Sequence, residues 1–249
     1  MRVKTTATTS MRIASASRGY LQAVLDKDRS KAESITINLV KQGWDMLEIF
    51  KVFSESQVQI GDLWAKNIIT VADEHFATHI TLDMISLVGR SFGKPRTMIG
   101  SVAVLSCVEG EFHYVGMKML AEILASQGWD VHFIGQSLPI AQVIQTLKKS
   151  KKVFDIICLS ITIPFNLASL IAAIHALRED PVLKQTTIIV GGRLFKSKKI
   201  QKLLLKGAGN SSSDSILADF VTSNFDAALV FIAKHQAKKR RRGRHVLDK

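Results

Sequence analysis

Residues 102–124 read VAVLSCVEGEFHYVGMKMLAEIL. The run from Val102 to Val108 is almost continuously apolar and rich in Val and Leu, which suits a strand buried on both faces. From about Tyr114 the apolar residues return at helical spacing. The turn between them holds Glu109, Glu111 and His113, and Gly116 follows three residues later. A strand, a polar turn and a helix begin a parallel-sheet unit. Ionisable residues in such a turn sit where open parallel sheets bind ligands, beyond the carboxyl ends of the strands.

Working outward, further apolar runs occur at WDVHFIG (129–135), FDIICLSIT (154–162) and TTIIVGG (186–192). Helical patterns separate them: YVGMKMLAEILASQG, PIAQVIQTLKKS and PFNLASLIAAIHALRED. Two more helices are predicted from SKKIQKLLLKGAG and SDSILADFVTSNFDAALVFIAKH. Strand–helix alternation predicts an α/β fold, a Rossmann-like (flavodoxin-like) parallel sheet with helices on both faces, over residues 97–233. Residues 19–93 differ. From Tyr20 to Phe92 the apolar period is helical, and four segments, with Gly43 and Gly61 placed at joins, predict a four-helix bundle.

The 249 residues carry a net charge of +13, but unevenly. Residues 1–18 hold four basic residues and no acid, residues 234–247 hold seven and no acid, and residues 19–233 are close to neutral at +2. Residues 1–18 are read as a disordered basic arm, too short for a DNA-binding domain, and 234–249 as a disordered basic tail. The tail would serve solubility or contact nucleic acid or an acidic partner. No apolar run reaches the roughly 18 residues of a membrane span, and no secretory signal opens the chain. Cys107 and Cys158 fall in predicted strands without metal-ligand spacing and read as core residues. Nothing indicates an oxidising compartment, so a cytoplasmic location is expected.

Unusual residues gather at one predicted sheet edge: EGEFHYVG after the first strand, Ser160 and Thr162 after the third, Gly191-Gly192-Arg193 after the fourth. The first turn is too bulky and acidic to cradle a diphosphate, and no lysine-bearing phosphate loop occurs. A histidine with a carboxylate two residues earlier remains. Imidazole is a common metal ligand, and a carboxylate on its other nitrogen fixes tautomer and orientation. One histidine cannot enclose a bare ion, but it can ligate a metal already held in a macrocycle.

EFHYVG resembles the Asp/Glu-x-His-x-x-Gly signature of cobalamin-binding domains of the methionine-synthase type. In that family Ser-x-Leu or Ser-x-Thr follows the third strand and Gly-Gly the fourth, matching Ser160-Ile161-Thr162 and Gly191-Gly192. The resemblance spans residues 19 to about 233, including the preceding helices. It implies that His113 displaces the dimethylbenzimidazole base and ligates cobalt, with Glu111 behind it. Gly116 would let the nucleotide tail pass, and Ser160, Thr162, Gly191 and Gly192 would line its slot. The bundle would cap the corrin's upper face.

GDLWAKNIITVADEH places Trp64 ten residues before Glu74 and His75. This pattern is similar to that of adenosylcobalamin-dependent light-sensing regulators of the CarH type, where it implies a wall around the upper adenosyl group. Ala65 stands where the best-known members carry a second cobalt-capturing histidine; His79 and His132 are the other candidates. Two functions follow from these resemblances. The first expectation is a light-sensing photoreceptor that regulates transcription through a protein partner, self-association or nucleic acid, with adenosylcobalamin favoured over methylcobalamin or hydroxocobalamin. The second is a corrinoid carrier of a methyltransferase system. Self-contained catalysis is not expected.

Overall fold

A computed structural model describes residues 7–93, 95, 97–205 and 218–247. By contacts the chain divides into two compact units. Residues up to Thr97 group with Lys118–Gly128, and Met98–Met117 group with Trp129 onward.

The first unit holds helices α1 (Ala7–Leu25), α2 (Arg29–Lys41), α3 (Met46–Ala65) and α4 (Val71–Phe92). The starts of α2, α3 and α4 are chemically marked. Asp28 accepts the Lys31 N–H, while Asp45 with Glu48 and Thr70 with Asp73 form reciprocal capping boxes. The core is aromatic: Tyr20 and Phe53 lie 4.6 Å apart between ring centres, and both are fully buried.

Two expectations about this unit need correction. Of the expected arm, residues 7–18 are helix, because α1 begins at Ala7; residues 1–6 lie outside the described residues. Ile13, Ser17, Tyr20 and Val24 recur at helical spacing and are all buried. Ser17 belongs to that face because it is small: its hydroxyl donates to the Ile13 carbonyl, and its own carbonyl accepts from Ser56 Oγ across to α3 at 3.1 Å. Gly61 lies inside α3 rather than at a join. The residue that closes α3 is Asn67, in the left-handed region at φ 55°.

The second unit is built on a five-stranded, all-parallel sheet: β1 (Val102–Cys107), β2 (Asp130–Gly135), β3 (Ile156–Ser160), β4 (Thr187–Gly191) and β5 (Phe220–Thr222), in the order β2-β1-β3-β4-β5. This is the flavodoxin-like order. Helices α5 (Val115–Ser126), α6 (Ile140–Lys149), α7 (Leu167–Glu179) and α8 (Lys198–Leu205) connect the strands, and α9 (Phe225–Leu247) closes the chain. From Lys118 onward α5 groups with the helices rather than the sheet, a departure from a boundary near residue 97. Its Met119, Leu120, Ala121, Ile123 and Leu124 are all buried, an apolar face wider than half the helix, while Lys118 and Glu122 pair on the remaining side. Among the described residues no helix is long and apolar enough to cross a membrane.

The carboxyl-terminal segment also differs from expectation. Part of the predicted helix SDSILADFVTSNFDAALVFIAKH is strand β5, with α9 starting only at Phe225; residues 213–217 lie outside the described residues. Side chains make the break. Asp219 accepts the Ile188 N–H of β4 at 2.8 Å, and Asn224 Oδ1 accepts the Ala227 N–H as the cap of α9. The supposed tail is helical as far as Leu247, while residues 248–249 lie outside the described residues.

The buried α1 face yields a direct test. Ile13→Ala should destabilise the protein by about 2 kcal/mol or more, because it opens a cavity under α1. Urea unfolding reads this, and a variant as stable as the parent would return residues 7–18 to the status of an arm.

Candidate cofactor site

The strand order reverses between β1 and β3, so the loops leaving these neighbours diverge and open a crevice at their carboxyl ends. Register brings the expected residues level there. Cys107 pairs with Ser160, Ser160 with Gly191, and Gly191 with Thr222.

Glu111 spans the crevice. Its side chain is fully buried. One oxygen, Oε1, accepts from the His113 backbone N–H at 2.9 Å and from His113 Nδ1 at 2.5 Å. The other, Oε2, accepts from the Thr162 N–H at 2.6 Å and, at 3.4 Å each, from the Ile163 N–H and Asn166 Nδ2. A carboxylate removed from water is thereby surrounded by donors, two of them backbone N–H groups of the loop after β3. Burial pushes the Glu111 carboxyl upward. The bonds from the His113 side chain, the Thr162 N–H and the His113 N–H outweigh it and hold the pKa down at about 2.

The consequence for His113 is orientation. An ionised carboxylate only accepts, so Nδ1 carries a proton, and in the neutral ring the lone pair is on Nε2. The ring is half exposed, whereas its partner is wholly buried. Among the described residues no three His, Cys, Asp or Glu side chains converge on a point. The donor set therefore suits a metal that brings most of its own ligands, as a corrin does.

Around this pair the loop is tightly fixed. Gly110 has φ 83°, its N–H donates to Ser137 Oγ at 3.1 Å, and its carbonyl accepts from Asn166 Nδ2 at 3.1 Å. The Glu111 carbonyl accepts the Ser137 N–H at 3.1 Å. Gly192 is required by the protein itself: φ is 123°, and a Cβ would stand 1.8 Å from the Ile161 carbonyl oxygen. Gly116 differs, since a Cβ there would meet nothing within 4 Å. Nothing in the chain's own packing demands glycine in that first turn of α5.

The structure thus gathers Glu111, His113, Ser160, Thr162, Gly191 and Gly192 along one rim, with Gly116 in the first turn of α5. Thr162 enters through its backbone N–H rather than its hydroxyl. A cavity of about 300 Å³ lies nearby, lined by Ser106, Val108, Leu138, Leu159 and Ala172 among others, but not by Ser160 or the glycines, so it is not their slot. Trp64, Glu74 and His75 belong to the helical unit. Trp64 is 44% exposed at the end of α3, and Glu74 accepts from Thr78 Oγ1 at 2.9 Å while bonding His75 Nδ1 at 2.6 Å. His132 sits toward the other end of the sheet unit, 3.1 Å from the Lys152 ammonium and edge-on to Phe154. Asn166 and Ser137 were not anticipated. A buried asparagine just after a proline and before a helix reads as a cap, and only the fold shows it bracing the Glu111 loop.

Segments in both parts of the chain resemble known proteins. Residues 101–207 match a family model described as B12 binding domain, and residues 16–88 match a second model of the same description. The chain is a cobalamin-binding-domain protein. It is 22% identical over 199 residues to the trimethylamine corrinoid protein of Methanosarcina barkeri, covering 78% of this chain and 90% of the relative. It is 31% identical over 91 residues to dimethylamine corrinoid protein 3 of Methanosarcina acetivorans. That match covers 36% of this chain and under half of the relative, 42%. The structure of the Methanosarcina barkeri monomethylamine corrinoid protein superposes with a TM-score of 0.69 at 16% identity, covering 86% of this chain and 95% of that one. At that identity the likeness establishes the fold.

Glu111 titrates in a way that can be measured. Its pKa is lower in the folded state than the ordinary value of 4.5, so its stabilisation is complete above that pH and is lost as pH falls toward about 2. Glu111→Gln should lower stability near neutrality by about 3 kcal/mol, because it breaks a buried charged pair. It should also flatten the acid limb of stability against pH. Parallel acid limbs for parent and variant would show that Glu111 is not held ionised.

Proposed function

We propose that this protein is a corrinoid carrier of a methyl-transfer system, with His113 as the lower ligand of cobalt. The observation that carries the reading is the Glu111–His113 pair, which presents one oriented imidazole from the rim of the sheet. The relatives support the carrier reading. Two trimethylamine corrinoid proteins are covered over 90% and 94% of their lengths, so the likeness extends across both units.

When bound, the corrinoid supplies the cobalt that accepts and donates a methyl group. The chain's residues hold and orient it. Glu111 fixes the His113 tautomer and raises its basicity, and the Thr162 and Ile163 N–H groups keep Glu111 ionised. Gly116 leaves the first turn of α5 bare, where the nucleotide tail would pass. Ser160, Gly191 and Gly192, at the ends of β3 and β4, would line the tail's slot. In the helical unit, Trp64, Glu74 and His75 remain the candidates for cofactor contact that the spacing offers. A methyltransferase would be the partner, and the chain itself would not be the catalyst.

Light sensing through adenosylcobalamin, the first expectation, draws no support from these relatives, and transcriptional output draws none either. The two readings separate on the upper ligand. The carrier should bind methylcobalamin at least as tightly as adenosylcobalamin, and its oligomeric state should not change on green illumination. His113→Ala should weaken binding by about tenfold to a hundredfold, in the range found when a metal's supporting shell is disrupted. Adenosylcobalamin binding more than tenfold tighter, together with light-driven change of assembly, would replace the carrier with the sensor. Failure to bind any cobalamin would dismiss both.

A further inference from the structure

The +7 charge of residues 234–247 has no part in the cofactor rim. The segments matching the B12-binding families end at residue 207, so α9 lies beyond them. Its course through the sheet unit is fixed by contacts. It starts three residues after β5 ends, His235 Nδ1 lies 3.4 Å from Thr187 Oγ1 at the start of β4, and Lys239 pairs with Asp155 just before β3. The helix therefore runs antiparallel to the strands and leaves at their amino-terminal edge, opposite His113. It also outruns the sheet. Strands of five or six residues span roughly 17–20 Å, while a helix of 23 residues extends about 35 Å.

That edge is already electropositive. Its acids Asp130, Asp155, Asp180 and Asp219 are engaged by Lys152, Lys239, Lys148 and Arg178. Lys149, Lys151, Lys184, Lys234 and Lys238 are exposed there as well, against exposed Glu179. Residues 238–245 read KKRRRGRH, with no apolar residue among them. An interfacial membrane helix needs an apolar face, and this segment supplies none. Six cations in residues 238–244 occupy about 10 Å of helix axis, or about one per 1.8 Å. Duplex DNA carries one phosphate charge per roughly 1.7 Å, and arginine matches phosphate oxygens in bidentate fashion.

We propose that the carboxyl-terminal end of α9 is an arm that binds the phosphate backbone of duplex nucleic acid without reading its sequence, at the pole of the sheet unit opposite the cofactor rim. Binding there does not depend on cobalamin.

The test uses the full chain, a labelled DNA duplex of mixed sequence and fluorescence anisotropy. A variant carrying Arg240→Gln, Arg241→Gln, Arg242→Gln and Arg244→Gln leaves Lys239 to hold Asp155. The intact protein should bind, losing more than tenfold in affinity between about 50 and 200 mM salt. The variant should bind at least tenfold more weakly and with a shallower salt dependence, while its circular dichroism and cobalamin affinity match the parent. No duplex binding by the intact protein at low salt, or equal binding by the variant, would overturn the proposal. So would equally tight binding to polyglutamate or to phosphatidylserine vesicles, which would point to an acidic protein or a membrane. The parallel cobalamin titration keeps failure here separate from failure of the carrier reading.

Discussion

A single buried carboxylate joins two loops that the sheet topology drives apart. The chain leaves β1 toward β2 and leaves β3 toward β4, so nothing in the strand ladder holds the two turns together beyond Cys107 and Ser160. Glu111 does so with charge-assisted hydrogen bonds, one oxygen facing its own loop and the other facing the loop after β3. A neutral side chain would leave buried N–H groups without an acceptor, and an unpartnered carboxylate would be desolvated without compensation. The arrangement works only as a set. Because Glu111 is pinned by the backbone of β3's loop, the imidazole it orients is referenced to the sheet and not merely to a flexible turn.

Pre-organisation of this kind bears on how a corrinoid would be held. A lone histidine on a mobile loop would have to be ordered at the moment of binding. Here the ring's Nδ1 is already committed and its carboxylate already immobilised, while the ring itself stays half exposed. Gly110 and Gly192 serve the protein's own backbone, one in a left-handed turn beside Asn166 and the other against the Ile161 carbonyl. Gly116 serves no such need, so a role toward a bound tail is what would account for it.

Much of the fold was legible because its central strands are apolar on both faces and its helices show a clear apolar period. The rim residues were legible as a spacing pattern, and register brought them level. The misreadings share a physical origin. α1 was taken for an arm because its packing face uses Ser17 where a larger apolar residue would have shown the period. β5 is only three residues long and its start is set by Asp219 reaching β4, a contact no local pattern announces. The second task of Glu111, and the brace from Asn166, depend on two loops fifty residues apart. The Trp64–Glu74–His75 spacing, which favoured light sensing, coincides with ordinary helix-start chemistry: Thr70 caps α4, and acids at Asp73 and Glu74 suit its first turn. Such a pattern arises readily without an adenosyl group to enclose.

The most direct measurement is electron paramagnetic resonance of the protein loaded with cobalamin and reduced by one electron, prepared with ordinary histidine and again with ¹⁵N-histidine. If His113 ligates cobalt, the nitrogen splitting changes from a triplet to a doublet on labelling, and the labelling effect disappears in His113→Ala. A triplet that persists in the labelled protein would mean that the cofactor keeps its own base, and that the Glu111–His113 pair holds the loop but not the metal.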